Sequence, residues 1–173
     1  QIGQDIDGEA AGDNSGNSVS LSSDGNTVAI GAFLNDGNGS NSGHVRIYQN
    51  IGGTWSQIGN DIDGEAAGDL NGQSVSLSSD GNTVAIGATY NDGNGSDAGH
   101  VRIYENTGGS WSQIGQDIDG ESTADKSGQS VSLSSDGNTV AIGAYKNDGN
   151  GYNAGHVRIY ENTGGSWSQI GQD

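Results

Sequence analysis

The sequence predicts an all-β chain of tandem four-stranded antiparallel meanders, and three observations carry that expectation. "QIG" recurs at Gln1, Gln57, Gln113 and Gln169, and Trp55, Trp111 and Trp167 keep the same step of 56 residues. The apolar residues alternate with small or polar ones, which is the two-residue period of a β-strand. An Asp-Gly pair separates two such runs in every copy, and this pair favours the tight turn of a hairpin.

Each unit reads as four strands. "SVSLS" alternates Val19 and Leu21 with Ser18, Ser20 and Ser22, and "TVAIGA" sets Val28 and Ile30 against Ala29 and Gly31. "HVRIY" sets Val45 and Ile47 against His44, Arg46 and Tyr48, and "TWSQIGNDI" alternates less cleanly around Trp55 and Ile58. "SSDGNT" is the hairpin between the first two strands, "NDGNGSNSG" a longer loop between the second and third, and "QNIGGT" the link to the fourth. No helical period is present. The expectation is one face of Val, Leu and Ile and another of Ser, Ala and Gly, so that a bulky face of one unit packs on the small face of the next.

A repeated four-stranded meander of this length is the signature of a β-propeller blade. No unit buries its apolar face alone, so stability must come from stacking. The expected units are residues 1–56, 57–112 and 113–168, with 169–173 restarting the pattern. Closed propellers need at least four blades, so three are incomplete as a ring. Further copies, in a homo-oligomer or a longer array, are the expected partners. If the rotation between units does not close, the same head-to-tail stacking builds a fibre.

Composition narrows the function classes. With 22 acidic and 5 basic side chains the formal net charge is -17, which excludes nucleic acid as a partner because phosphate binding needs clustered Lys and Arg. No apolar run approaches the roughly 20 residues of a membrane-spanning helix. Cys is absent, so disulfides and thiolate chemistry are excluded. Met is absent even at position 1, which fits a processed or excised piece.

"SG-SVSLSSDGNTVAIGA" and "GHVRIY" resemble the FG-GAP repeat, the blade of integrin α-subunit propellers. The resemblance runs through all three copies. It covers the opening Phe-Gly, the first hairpin, the second strand ending in Gly-Ala-Pro, and a Gly-x-Val-x-Val-Tyr third strand. Here Ser15, Asn71 or Ser127 replaces the Phe, and Phe33, Thr89 or Tyr145 the Pro. The resemblance implies extracellular or cell-surface adhesion or ligand binding, to a protein or a glycan, without catalysis. The alternatives are the structural unit of an extracellular filament and a lectin-like glycan-binding propeller. FG-GAP blades that bind calcium use an Asp-rich loop between the first two strands. The loop here holds one carboxylate, Asp24, Asp80 or Asp136, too few for the six to eight oxygens calcium takes, so that site is not carried over.

The expected cation site is instead "DIDGEAAGD" and its copies: Asp5, Asp7, Glu9 and Asp13; Asp61, Asp63, Glu65 and Asp69; Asp117, Asp119, Glu121 and Asp125. In an extended segment Asp5, Asp7 and Glu9 would share a face about 7 Å apart. Their repulsion in water is only about 0.6 kcal/mol per pair, so a solvated acidic connector is the competing reading to calcium. His44, His100 and His156 lie one per unit and are expected to make structural hydrogen bonds. Arg46, Arg102 and Arg158 are expected to pair with carboxylates. Asn38 and Asn94 head glycosylation sequons; the third copy has Tyr152 and breaks the pattern. The copies differ mainly in the connection before the first strand and in the loop after the second, which a meander places on one rim. Phe33, Leu34, Thr89, Tyr90, Tyr145, Lys146 and Tyr152 are therefore the expected ligand contacts. No nucleophile–base–acid constellation, phosphate loop or cofactor fingerprint is present, and no enzyme is expected.

Overall fold

The computed structural model describes residues 1–172; of the five residues that restart the repeat, Asp173 lies outside the described residues. Every element among the described residues is a strand, and the strands form three antiparallel sheets. In the first, β1 (Ser18–Leu21), β2 (Thr27–Ala32), β3 (His44–Ile51) and β4 (Thr54–Gln57) are neighbours in space as in sequence, and β5 (Ile62–Asp63) pairs with the start of β3. The second repeats the plan with β6 (Asn71–Leu77), β7 (Thr83–Ala88), β8 (His100–Thr107), β9 (Ser110–Gln113) and β10 (Ile118–Asp119). The third runs β11 (Ser127–Leu133), β12 (Thr139–Ala144), β13 (His156–Thr163) and β14 (Ser166–Ile170). These are propeller-type blades, and three of them form no closed ring.

The fourth strand differs from the expected single run. It breaks into β4 and β5 around Gly59, whose φ of 73° belongs to the left-handed region that turns a chain out of a ladder. Each sheet therefore takes its outer edge from the start of the next sequence repeat. The inner strand is longer than expected in the second and third copies. It begins at Asn71 and Ser127 and carries an irregularity before Ser74 and Ser130.

The two faces also differ from the expected bulky and small pair. Gly31 pairs with Val45 and Ala29 with Ile47, while Ile30 pairs with Arg46 and Val28 with Tyr48. Cross-strand partners share a face, so the third strand is inverted relative to a simple separation. One face carries Val19, Leu21, Val28, Ile30, Arg46 and Tyr48; the other carries Ser18, Ser20, Ala29, Gly31, Val45 and Ile47. Both are apolar over half their width, in different halves, which lets successive blades fit. The first junction buries Ala29, Val45, Ile47 and Ile62 against Leu77, Val84 and Ile86. The second buries Ala85, Val101, Ile103 and Ile118 against Leu133, Val140, Ile142, Tyr160 and Trp167.

A polar seam holds the inner strands together. Ser18 Oγ donates to Gly72 O at 2.7 Å, and Ser20 Oγ accepts from Leu77 N at 2.9 Å. Ser74 and Ser76 repeat both bonds to Gly128 O and Leu133 N. Ser23 N donates to Ser79 O, and Ser79 N to Ser135 O. Each serine reaches the same segment one repeat later, so a change in one copy needs a match in the next. At the outer edge, Trp111 Nε1 donates to Ile58 O and Trp167 Nε1 to Ile114 O, again between blades.

The ends of the stack lack these partners within the chain. Leu21 is 57% exposed where Leu77 is 7%, and Val157 is 59% exposed where Val101 is fully buried. The two open faces are the complementary halves of the internal junction.

Candidate functional site

The two variable segments meet on one rim. Leu34 N donates to Asp13 O, and Asn35 Nδ2 to Asp13 Oδ2 at 2.9 Å. Tyr90 and Asn91 bond in the same way to Asp69, and Lys146 and Asn147 to Asp125. Tyr90, Tyr145 and Tyr152 are exposed on this rim, Tyr152 by 89%, while Phe33, Leu34 and Lys146 are half-buried. Thr89 is buried, because it follows β7 directly and its side chain falls on the packed side; it is not a rim contact. Lys126 Nζ lies 3.1 Å from the Tyr90 ring centroid and 2.9 Å from Asp97 Oδ2, tying the two loops.

The acidic segments do not gather their own carboxylates. Asp13, Asp69 and Asp125 are buried and cap a turn, accepting from Ala10 N, Ala66 N and Ser122 N. Asp5, Asp61 and Asp117 accept from Gln1, Gln57 and Gln113. The carbonyls of Asp7, Asp63 and Asp119 accept from Arg46, Arg102 and Arg158 at 2.6–2.7 Å. The grouping of Asp5, Asp7, Glu9 and Asp13 into one site, and its equivalents, is therefore corrected. The segment is extended over only two residues, Ile62–Asp63 or Ile118–Asp119, and then turns, so among the described residues the four do not form one metal-holding group, although Glu65 and Asp69 share Asn91 Nδ2 at 3.4 and 3.1 Å.

Carboxylates from different repeats converge instead, around the histidines. Glu9, His44 and Asp61 place one ligand atom each within 4.8 Å of one another, as do Glu65, His100 and Asp117. His44 Nδ1 lies 3.7 Å from both Glu9 Oε2 and Asp61 Oδ2. His100 Nδ1 lies 3.5 Å from Asp117 Oδ2 and 3.9 Å from Glu65 Oε2. His156 Nδ1 lies 3.8 Å from Glu121 Oε2. Arg46, Arg102 and Arg158 approach the other oxygen of the same Glu at 3.5–3.6 Å, as their expected pairing requires. His100 holds the Asp117 carboxyl below its ordinary range against the opposing effect of burial. Burial, with Asp61 beside it, pushes the Asp63 carboxyl up. The sequence spacing hid these groups: each draws on three segments, and only the recurrence of one His per unit marked them.

Asp24 stays within its turn, accepting from Ser22 Oγ at 2.7 Å and Asn26 N at 2.9 Å. Asn38 Nδ2 donates to Gly64 O at 2.7 Å and Asn94 Nδ2 to Gly120 O at 2.8 Å. The side-chain nitrogens of the two sequon asparagines thus brace the segment that follows the outer strand of their own sheet. A groove of about 420 Å³ runs along the outer junction, lined by Asp61, Asp63, Tyr104 and Trp111 among others.

Comparisons with known proteins place the fold. A putative 6-phosphogluconolactonase from Bacteroides uniformis superposes with a TM-score of 0.60 at 16% identity, over 89% of this chain and 39% of that one. Sqt1 from Saccharomyces cerevisiae gives 0.55 at 15%, over 91% and 34%. A periplasmic gluconolactonase from Pseudomonas aeruginosa gives 0.51 at 20%, over 83% and 38%. The chain thus spans less than half the length of each. At such identities the likeness concerns the fold alone. It nevertheless corrects the expectation that no enzyme is involved, since two proteins named as lactonases share this blade architecture. A comparison with curated protein sequences gives no match. No helix among the described residues is long and apolar enough to cross a membrane. The FG-GAP repeat profile matches residues 6–48, 62–104 and 118–160, three spans that each take in the first two strands of a sheet and most of the third, and the chain belongs to the FG-GAP repeat family.

Proposed function

We propose that the chain supplies three blades of an extracellular ligand-binding propeller of the adhesion type, with its contacts on the rim at Tyr90, Tyr145, Lys146 and Tyr152. One observation carries this reading. The residues that differ between otherwise matching repeats include three exposed tyrosines on a single rim, and tyrosine offers a large contact area at low conformational cost. Further blades complete the structure by covering the face of Val19 and Leu21 and the face of Val157 and Ile159.

The test compares the chain with its Tyr145→Ser/Tyr152→Ser variant on arrays of immobilised glycans and extracellular matrix proteins. A saturable signal lost in the variant is expected. Equal signals from both, or none from either, would sink the rim reading. A second reading, an extracellular filament, is favoured by the complementary open faces, which permit indefinite head-to-tail stacking. Solution scattering separates the two: a ring has a fixed maximum dimension, and a fibre lengthens with protein concentration.

A further inference from the structure

We propose that Glu65, His100 and Asp117 bind a divalent first-row transition ion such as Zn²⁺ at the junction of the first two blades, and that Glu9, His44 and Asp61 form a second, equivalent site. The imidazole is the first reason. The His100 side chain is 1% exposed, and neither ring nitrogen has a hydrogen-bond partner. A buried polar group without a partner is costly, and Nδ1 faces two carboxylate oxygens at 3.5 and 3.9 Å. Those gaps are long for hydrogen bonds. They suit a shared ion: with metal–ligand bonds of 2.0–2.2 Å, tetrahedral ligand atoms stand about 3.4 Å apart. Closing the site draws together three ligand atoms that already lie within 4.8 Å of one another.

The surroundings fit the same reading. Arg102 Nη1 lies 3.5 Å from Glu65 Oε1, which fixes that carboxylate and turns Oε2 towards the imidazole. Asn91 Nδ2 reaches Oε2 at 3.4 Å, a weak contact that leaves lone pairs for a metal. Orienting a ligand through its second atom is a recurring feature of metal sites. The Glu65 and Asp117 side chains keep partial access to solvent, so an ion can enter and retain water at its remaining positions. One nitrogen and two carboxylate oxygens suit zinc and its neighbours. Calcium prefers six to eight oxygens and is not the expected occupant.

Isothermal titration of the whole chain with zinc chloride, in a buffer that does not chelate, tests this. At least two ions per chain are expected to bind saturably at micromolar concentration, undisplaced by millimolar calcium. The Asp61→Asn/Asp117→Asn variant should weaken binding by about tenfold or more, the scale of disturbed metal sites. These two positions lie at the solvent edge, so the fold should survive, and circular dichroism checks that it does. Cobalt substitution should give visible absorption with a nitrogen ligand, lost in His44→Gln/His100→Gln. No saturable zinc binding below millimolar concentration would overturn the proposal, leaving the histidines as partners of the carboxylates alone. Zinc binding unchanged in the Asp61→Asn/Asp117→Asn variant would overturn it equally, because the ion would then sit on other surface carboxylates.

Discussion

Ser76 Oγ accepts the backbone amide of Leu133 at 2.9 Å, across a junction and 57 residues along the chain. Ser20 and Leu77 make the same bond one blade earlier. Both amides lie on the inner edge of a sheet, where no further strand pairs with them. The serine thus closes an edge that would otherwise present a donor for unwanted pairing. Ser76→Ala should lower stability by about 1 kcal/mol, the lower end of the cost of an unsatisfied donor, since the group is only partly buried. The measurement is the shift in urea midpoint at constant slope. Ser132→Ala is the control, because Ser132 Oγ makes no such bond among the described residues. Equal shifts for the two would refute the assignment.

Gly87 and Gly143 occupy equivalent places in β7 and β12 but different surroundings. A Cβ on Gly87 would run into the carbonyl of Gly128 on the next blade, whereas on Gly143 it would meet only the movable Ser130 hydroxyl of its own sheet. Gly87→Ala must push two blades apart and should cost about 1–3 kcal/mol, as overpacking does. Gly143→Ala should change the melting temperature of the isolated chain little. If a second copy covers this face, sedimentation velocity should show that Gly143→Ala weakens the self-association. A melting temperature reduced as far as in Gly87→Ala would contradict the open-face description.

Much of the fold was legible because its signals are local. The alternation of "SVSLSSDGNTVAIGA" and its Asp-Gly pair specify β1, the turn and β2 from neighbouring residues alone. The register of β3 was not legible, since pairing Gly31 with Val45 rather than with Arg46 depends on the length of the intervening loop. The rim followed from meander geometry, but the burial of Thr89 did not, as the loop begins one residue later than its sequence variation. The histidine clusters lay furthest from view. Glu65, His100 and Asp117 come from three segments and two repeats, and stacking, not spacing, brings them together.

The acid response should originate in the hairpin turns. Ser22 and then Asn26 hydrogen-bond the Asp24 carboxylate and hold it below the ordinary carboxyl value of 3.8, as Ser78 and Asn82 do for Asp80, and Ser134 and Asn138 for Asp136. A carboxyl whose folded value is depressed contributes stability that is fully present above its unfolded value. That stability is lost as the pH falls through the folded value. The urea midpoint should therefore hold steady on this account from pH 7 to about 5 and decline below about 4. Asp63 acts in the opposite sense: burial raises its value, so protonation relieves a cost and offsets part of the decline. The Asp24→Asn/Asp80→Asn/Asp136→Asn variant lacks the depressed groups and should lose stability less steeply below pH 4. A slope as steep as that of the unaltered chain would place the acid sensitivity elsewhere, with Asp117 beside His100 as the next carboxylate to replace.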